Sequence, residues 1–466
     1  MKIILIASKI LVLGAGPSGM ACALELSKAG KKFLVVEKAG SVGGLAKTCL
    51  FGEFLTDIGP HRFYTKNQYL ESMMKNLLGE KWIQVKRHTR FYIHGKYYQY
   101  PLDPASALFT LGIVQSIKIA RDYFWQKLFH FSAPKNFEEY AISKFGRLLA
   151  ELNILNYTEK IWGVHPNRMS VDWANQRIKG LSMFSTLKNF FFKSGSPKSM
   201  VNYFHYPESG TGFIYEKMSE IIGKDKILLN VEPLEIKITG NKITWVLLSN
   251  GKKLSVEKMV SSIPITVFCK NLVPAPPKEV LEASKKLRFR SQVYLFITLN
   301  KPSVTDDQWI YFPDKEIPFG RISEMKNFSK KMSPKDKTSL FVEFFCWKND
   351  SVWKMSKGEL LNKTIKWLEK LGFVEQSEII DSYLLRSEFG YPVYELGYEK
   401  NLAVVKKYLD SIENLLYIGR PGRFKYTNQD HSIEMGINAG RGIIENKKTD
   451  IEQIGKENEY FEMKSQ

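Results

Sequence analysis

Cysteine is scarce in this chain. Four residues, Cys22, Cys49, Cys269 and Cys346, are scattered through 466 positions with no metal-ligand spacing. That excludes a disulfide framework and predicts structural thiols in a reducing cytosol. A long apolar run is also missing. The best candidate, Pro104 to Phe131, is broken by Gln115, Lys118, Arg121, Asp122 and Lys127, whereas a membrane span needs ~20 apolar residues. Met1 to Ile6 is apolar but leads straight into a glycine-bearing strand and loop, so it is not expected to act as a secretion signal. Acidic residues are the minority charge: 48 Asp and Glu face 68 Lys and Arg, and 68 − 48 gives +20. Such an excess favours phosphates, nucleic acid or an acidic membrane without choosing among them. The chain is 44% hydrophobic and 13% aromatic and has no internal repeat, which rules out wholesale disorder and collagen. Its length fits two or three domains at ~100–200 residues each.

The strongest local pattern lies near the start. Lys9 to Leu13 is an apolar run of the buried parallel-strand type, followed by Gly14-Ala-Gly16-Pro17-Ser18-Gly19. Met20 to Leu26 continues as a helix that Gly30 can end, and Phe33 to Glu37 reads as a second strand closing on an acid. In such a unit Gly14 makes the tight turn, Gly16 admits a pyrophosphate, and Gly19 lets helix and strand approach. The helix N-terminus offers free N–H groups to phosphate, and Glu37 is placed for ribose hydroxyls. A dinucleotide site is predicted.

Lys38-Ala-Gly-Ser-Val-Gly43-Gly44-Leu45 adds a second glycine pair just after the acid. This resembles the flavoproteins that include amine oxidases, phytoene desaturases and protoporphyrinogen oxidase, which implies FAD in this site. Near the other end, Leu415 to Gly419 reads as a strand, and Asn428-Gln429-Asp430-His431-Ser432 opens a helix through Ile433, Gly436, Ile437, Gly440 and Ile443. Asn428 or Asp430 can cap that helix, whose positive end suits negative charge at a flavin edge.

Further blocks narrow the resemblance. Tyr157-Thr-Glu-Lys160-Ile-Trp162 with Trp173 and Arg177, then Trp309-Ile-Tyr311 with Arg321 and Asn327, then Tyr391-Pro-Val, then Gly419-Arg420 to Tyr426 and Ser432 are similar to the UDP-galactopyranose mutases, especially the eukaryotic type. Gly59-Pro60-His61-Arg-Phe63 belongs to the same series. The resemblance implies a pyranose–furanose isomerisation of a nucleotide-diphosphate sugar through a sugar adduct on N5 of reduced FAD. It implies that Arg177 and Arg321 grip the diphosphate, that Tyr311, Tyr391 and Tyr426 donate hydroxyls to it, and that Trp162 and Asn327 help bind substrate. His61 would tune the flavin. Gly43, Gly44, Leu45, Lys38, Gly59, Pro60, Gly419, Arg420, Asn428, Gln429 and Ser432 would join the first glycine loop around FAD. Arg90, with Arg420 or Arg423, resembles positions that receive NADPH or NADH as external reductant. No metal is implied. Thr158 stands where the family has Asn, and Glu208-Ser-Gly210-Thr-Gly212-Phe213 departs from its glycine turn, which leaves the sugar open.

The expected fold class is α/β: a Rossmann-type FAD-binding domain from residues 1–70, 205–290 and 400–446, a helical insertion at 71–204, a substrate-binding sheet domain at 291–399 and a frayed or surface-helical tail at 447–466. Pro104 to Phe131 reads as an amphipathic helix that packs in the insertion or lies on a membrane. Asn189 to Lys193, with the following Ser-Gly-Ser-Pro-Lys, reads as a mobile loop serving as a substrate flap or membrane-facing edge. Expected location is the cytosol, with peripheral contact at the inner face of a membrane as the variant. The rival is an FAD-dependent oxidoreductase of the amine oxidase or protoporphyrinogen oxidase type acting on an apolar or amine substrate. A nucleic-acid partner has no motif to support it.

Overall fold

A computed structural model describes residues 5–100, 111–129, 133–173 and 203–455. Arg177 and the Asn189 to Lys193 run lie outside them. The first strand, β1 (Leu5–Leu13), hydrogen-bonds in parallel with Lys253–Ser261 on one side and with β2 (Phe33–Val36) on the other. Pro233–Thr239, Lys242–Leu248 and Lys253–Ser261 form an antiparallel flank, and Leu415–Tyr417, Ile227–Leu228 and Leu272–Val273 add parallel pairings, completing an eight-stranded sheet. Successive side chains of a strand point to opposite faces. Leu11 and Leu13 therefore enter one core while Ile10 and Val12 enter another. Both faces are covered, as a parallel α/β sheet requires.

Helix α1 (Pro17–Lys28) starts where the glycine loop turns, and Gly30 (φ +64°) takes the left-handed conformation just past its end. Further helices are α2 (Ile113–Phe129), α3 (Asn156–Trp162), α4 (Phe213–Ile222), α5 (Tyr398–Asp410), α6 (Gly419–Arg423) and α7 (Gln429–Glu445).

The second sheet has seven strands, ordered Ile379–Pro392, Phe289–Leu299, Thr338–Cys346, Arg321–Glu324, Trp309–Tyr311, Thr89–Ile93 and Lys96–Gln99. Phe289–Leu299 is buried along its whole length. Its last two strands correct the expectation of a helical 71–204 segment. Thr89–Ile93 pairs in parallel with Trp309–Tyr311, and Trp82–Lys86 pairs with Tyr203–Pro207. The local reason is a hairpin: His94 (φ +47°) and Gly95 (φ +81°) reverse the chain between aromatic strands.

The tail also differs from expectation. Ile451 and Ile454 are buried, and Glu452 binds Lys406 and Arg423, so residues 451–455 pack down. All four cysteines are unpaired. Among the described residues no helix is long and apolar enough to cross a membrane.

Candidate active site

The glycine loop makes a cradle with no room for a side chain at Gly19 or Gly44. A Cβ on Gly19 would lie 1.9 Å from Gly14 O, and one on Gly44 would lie 3.0 Å from Gly16 Cα. Gly43 (φ +101°) and Gly44 (φ +57°) thus fold the second glycine pair onto the first, with Leu45 in the same turn and Gly43 N–H donating to Ala15 O at 2.8 Å. Both Glu37 carboxylate oxygens accept backbone N–H groups, from Ala15 and Ala39, each at 2.8 Å. That clamp fixes the acid at the end of β2, with lone pairs left over. Lys38 lies beside the Phe389 ring.

Ser18, at the start of α1, abuts Gly419: a Cβ there would meet Ser18 Oγ at 2.3 Å. This brings the N-terminus of α1 against the chain entering α6. Asn428 takes the capping position of α7 by backbone conformation but makes no side-chain cap. Ser432 donates to Asn428 O at 3.0 Å. The Gln429 carbonyl oxygen accepts from Tyr215 (2.6 Å) and Thr211 (3.2 Å). The same Thr211 gives its N–H to Asp57, which also accepts from Tyr206 and Thr48. Burial pushes the Asp57 carboxyl up to about 7 despite these bonds.

Across from the glycine loop, two arginines gather around His61. The His61 Nδ1 lies 2.9 Å from Gly59 O, which can only accept, so the proton sits on Nδ1 and Nε2 is left as an acceptor. Burial first, then the Arg420 and Arg321 charges, press the imidazole down to about 3. It is neutral at physiological pH.

Arg321 reaches Glu343 through Nε (2.6 Å) and Nη2 (2.7 Å), a paired fork. Glu343 is buried, accepts also from Gln292 at 3.2 Å, and holds Arg321 charged against the cost of burial. Gly59 packs beside this pair: a Cβ would stand 3.6 Å from Glu343 and 3.7 Å from Arg321.

The aromatic walls close around the same charges. Tyr391 and Tyr426 stack at 5.7 Å with Arg420 5.1 Å from each ring. Trp162 meets Tyr391, Tyr426 and Trp173 edge-on. Tyr311 packs on Tyr157 at 5.2 Å and lies 5.8 Å from the Arg321 guanidinium. Two lone pairs and a proton on a buried phenol need partners, yet the Tyr157 hydroxyl has none among the described residues. The structure thus gathers His61, Arg321, Arg420, Trp162, Tyr311, Tyr391 and Tyr426.

Other expected residues are committed elsewhere. Asn327 gives its amide to Thr305 O (2.7 Å) and Asp307 O (2.8 Å), bracing a loop. Arg90 forks onto the buried Asp307, and Arg423 binds Glu452. Neither Arg90 nor Arg423 presents the open fork that reception of a pyridine nucleotide would use. Glu343 and Gln292 carry no motif signal of their own, and Tyr157, though part of the Tyr157-Thr-Glu-Lys160 block, has no role assigned from the sequence. Glu343 had a signal of another kind, a lone acid inside Leu340-Phe-Val-Glu-Phe-Phe, since an unpaired charge does not stay in a buried strand.

A sequence model of flavin-containing amine oxidoreductases matches residues 17–441. The chain belongs to this family.

The fold agrees. A structure of reduced UDP-galactopyranose mutase superposes with a TM-score of 0.84 at 23% identity, covering 97% of this chain and 99% of that one. A putative protoporphyrinogen oxidase from Exiguobacterium sp. 255-15 gives 0.74 at 17% identity, covering 95% and 100%. Cyclohexylamine oxidase from Brevibacterium oxydans IH-35A gives 0.66 at 16%, covering 94% and 99%.

Membership implies FAD, and the residues present fit it. The glycine cradle leaves backbone N–H groups for a pyrophosphate, Glu37 sits at the ribose position of such units, and Gln429 Nε2 and Ser261 Oγ are among the buried polar atoms without a protein partner among the described residues. The protein is a flavin-dependent enzyme of the amine oxidase superfamily.

Proposed function

We propose that this flavoenzyme interconverts the pyranose and furanose forms of a nucleotide-diphosphate sugar, UDP-galactose or a close relative. The observation that carries the reading is the convergence of two guanidiniums, Arg321 and Arg420, with the rings of Tyr157, Tyr311, Tyr391 and Tyr426 around a neutral His61. Two fixed cations with phenol donors suit a diphosphate leaving group. The glycine cradle and Glu37 would hold FAD, which in its reduced form would supply the electron pair for such a displacement.

The chain's own residues then have separate tasks. Glu343 takes one edge of Arg321 and leaves Nη1 for a phosphate oxygen. The tyrosine hydroxyls donate to the remaining oxygens, and burial keeps Tyr157 and Tyr391 protonated for that purpose. Trp162 and Trp173 keep water from the site. Neutral His61 offers Nε2 as a hydrogen-bond acceptor without adding charge. Arg177 completes the diphosphate grip in this reading. We place the reaction in the cytosol, where unpaired thiols stay reduced. A pyridine nucleotide is the reductant to try first.

A second reading, amine or hydrophobic-substrate oxidation, is favoured by the aromatic lining of Trp162, Trp173, Tyr391 and Tyr426. Against it, two guanidiniums repel a protonated amine. One experiment separates them. The dithionite-reduced protein is incubated with UDP-galactopyranose and UDP-galactofuranose and the products are resolved. Interconversion under reducing conditions only supports the mutase. Oxygen consumption with an amine and no sugar isomerisation overturns it.

A further inference from the structure

Helix α2 is apolar on two opposite sides. Ile119 and Tyr123 are buried in a small cluster with Phe145 and Leu149. On the other side Val114 (66%), Ile117 (65%), Phe124 (61%) and Leu128 (63%) stand exposed. At 3.6 residues per turn these four fall within about 80° of arc. Arg121, exposed, sits inside that arc, and exposed Lys118 borders it. The only acid on the helix, Asp122, is half-buried and accepts the Leu148 N–H at 3.0 Å. The outward face is therefore apolar and cationic with no acid in it.

A helix buried on one side ordinarily turns polar residues to water on the other. A contiguous bare apolar stripe marks a surface that meets something. A second copy of the chain fits poorly. A twofold contact through this face would set Arg121 and Lys118 against their own copies, in a chain that already carries +20. An anionic lipid surface satisfies both halves of the pattern: the four apolar side chains enter the acyl boundary while Arg121 and Lys118 stay at the headgroup phosphates. We propose that the exposed face of α2 docks the enzyme on an anionic bilayer, with the helix lying in the plane of the interface. The site around Arg321 takes no part in this contact.

The test uses the full-length holoprotein with vesicles of equal parts phosphatidylcholine and phosphatidylglycerol at low salt, and with phosphatidylcholine alone. Flotation with the anionic vesicles is expected. It should fall at least tenfold in an Ile117→Glu, Leu128→Glu double variant that keeps the wild-type flavin spectrum and turnover. No flotation of the wild type, or equal flotation of the variant, overturns the proposal. A lipid-free dimer that the same variant converts to monomer also overturns it, and assigns the face to a second copy. Should the variant lose its flavin, amide exchange of the wild type decides: slowing across 113–129 on vesicle addition supports docking, and unchanged exchange refutes it.

Discussion

Arg321 was legible from a motif, but its behaviour belongs to Glu343. A guanidinium held by two bonds to one buried carboxylate loses little entropy when a phosphate arrives. Glu343→Gln keeps the shape and removes the charge, so the fork loosens and Gln292 gains a competitor. Turnover of the reduced enzyme should fall at least tenfold, ~1.4 kcal/mol in the barrier, with FAD still bound. Wild-type kinetics would remove Glu343 from the machinery. His61 and Asp57 make a second, independent prediction because their shifts oppose each other. His61 falls from 6.5 to about 3, so below pH 6.5 the unfolded chain takes a proton that the folded one refuses, and stability drops as pH falls. Asp57 rises from 3.8 to about 7, so above pH 3.8 the unfolded chain ionises first, and stability drops as pH rises toward 7. Urea midpoints across pH 4–8 test both. Relative to wild type, His61→Gln should gain stability toward acid and Asp57→Asn should gain it toward neutrality; parallel curves for all three proteins would refute the assignment.

Elements differ in how far the sequence reveals them. The β1–α1–β2 unit was readable because its partners are neighbours in the chain and each glycine answers a local need. Thr89–Ile93 was not, since its parallel partner Trp309–Tyr311 lies over two hundred residues away. The His94-Gly95 turn between aromatic runs was the overlooked clue. Gly436 and Gly440 stand about one turn apart on one face of α7, and the structure shows what that face meets. Helix α7 crosses α1 so tightly that a Cβ on Gly436 would lie 2.1 Å from Ser18 O, and one on Gly440 would lie 2.9 Å from Glu25 Cβ. Gly436→Ala must push α7 away from α1, at a cost of about 1–3 kcal/mol for overpacking. Because Ser18 opens the phosphate end of α1, a weaker FAD dissociation constant should accompany the lower melting temperature. Stability loss with unchanged flavin affinity would mean that the helices part without disturbing the cradle.

At the scale of the whole molecule, the lysine- and glutamate-rich end of the chain looked frayed because Ile451 and Ile454 show little apolar periodicity with the rest of it. Its real attachment is ionic and distant in sequence. Glu452 joins Lys406 of α5 to Arg423 of α6, Lys425 donates to Glu452 O at 3.0 Å and to Ile454 O, and Gly455 lies so close to the His431 ring that a Cβ there would stand 3.3 Å from it. Residues 451–455 thus strap the segment that carries Arg420 and Tyr426 to the helix before it. Burial opposes the charge on Glu452, yet Lys406 and Arg423 pull its carboxyl down to about 2. A depressed carboxyl stabilises the fold above its unfolded value of 4.5, and that contribution is lost as pH falls toward 2. With the Glu452 side chain 37% exposed, solvent screening limits the effect to about 1 kcal/mol. Glu452→Gln should therefore lower the melting temperature by a few degrees at pH 7 and by less near pH 3. It should also raise KM more than it lowers kcat, since Arg420 and Tyr426 lose their backing while the flavin keeps its own cradle. Equal losses at both pH values, or an unchanged KM, would show that the strap is held by Ile451 and Ile454 rather than by charge.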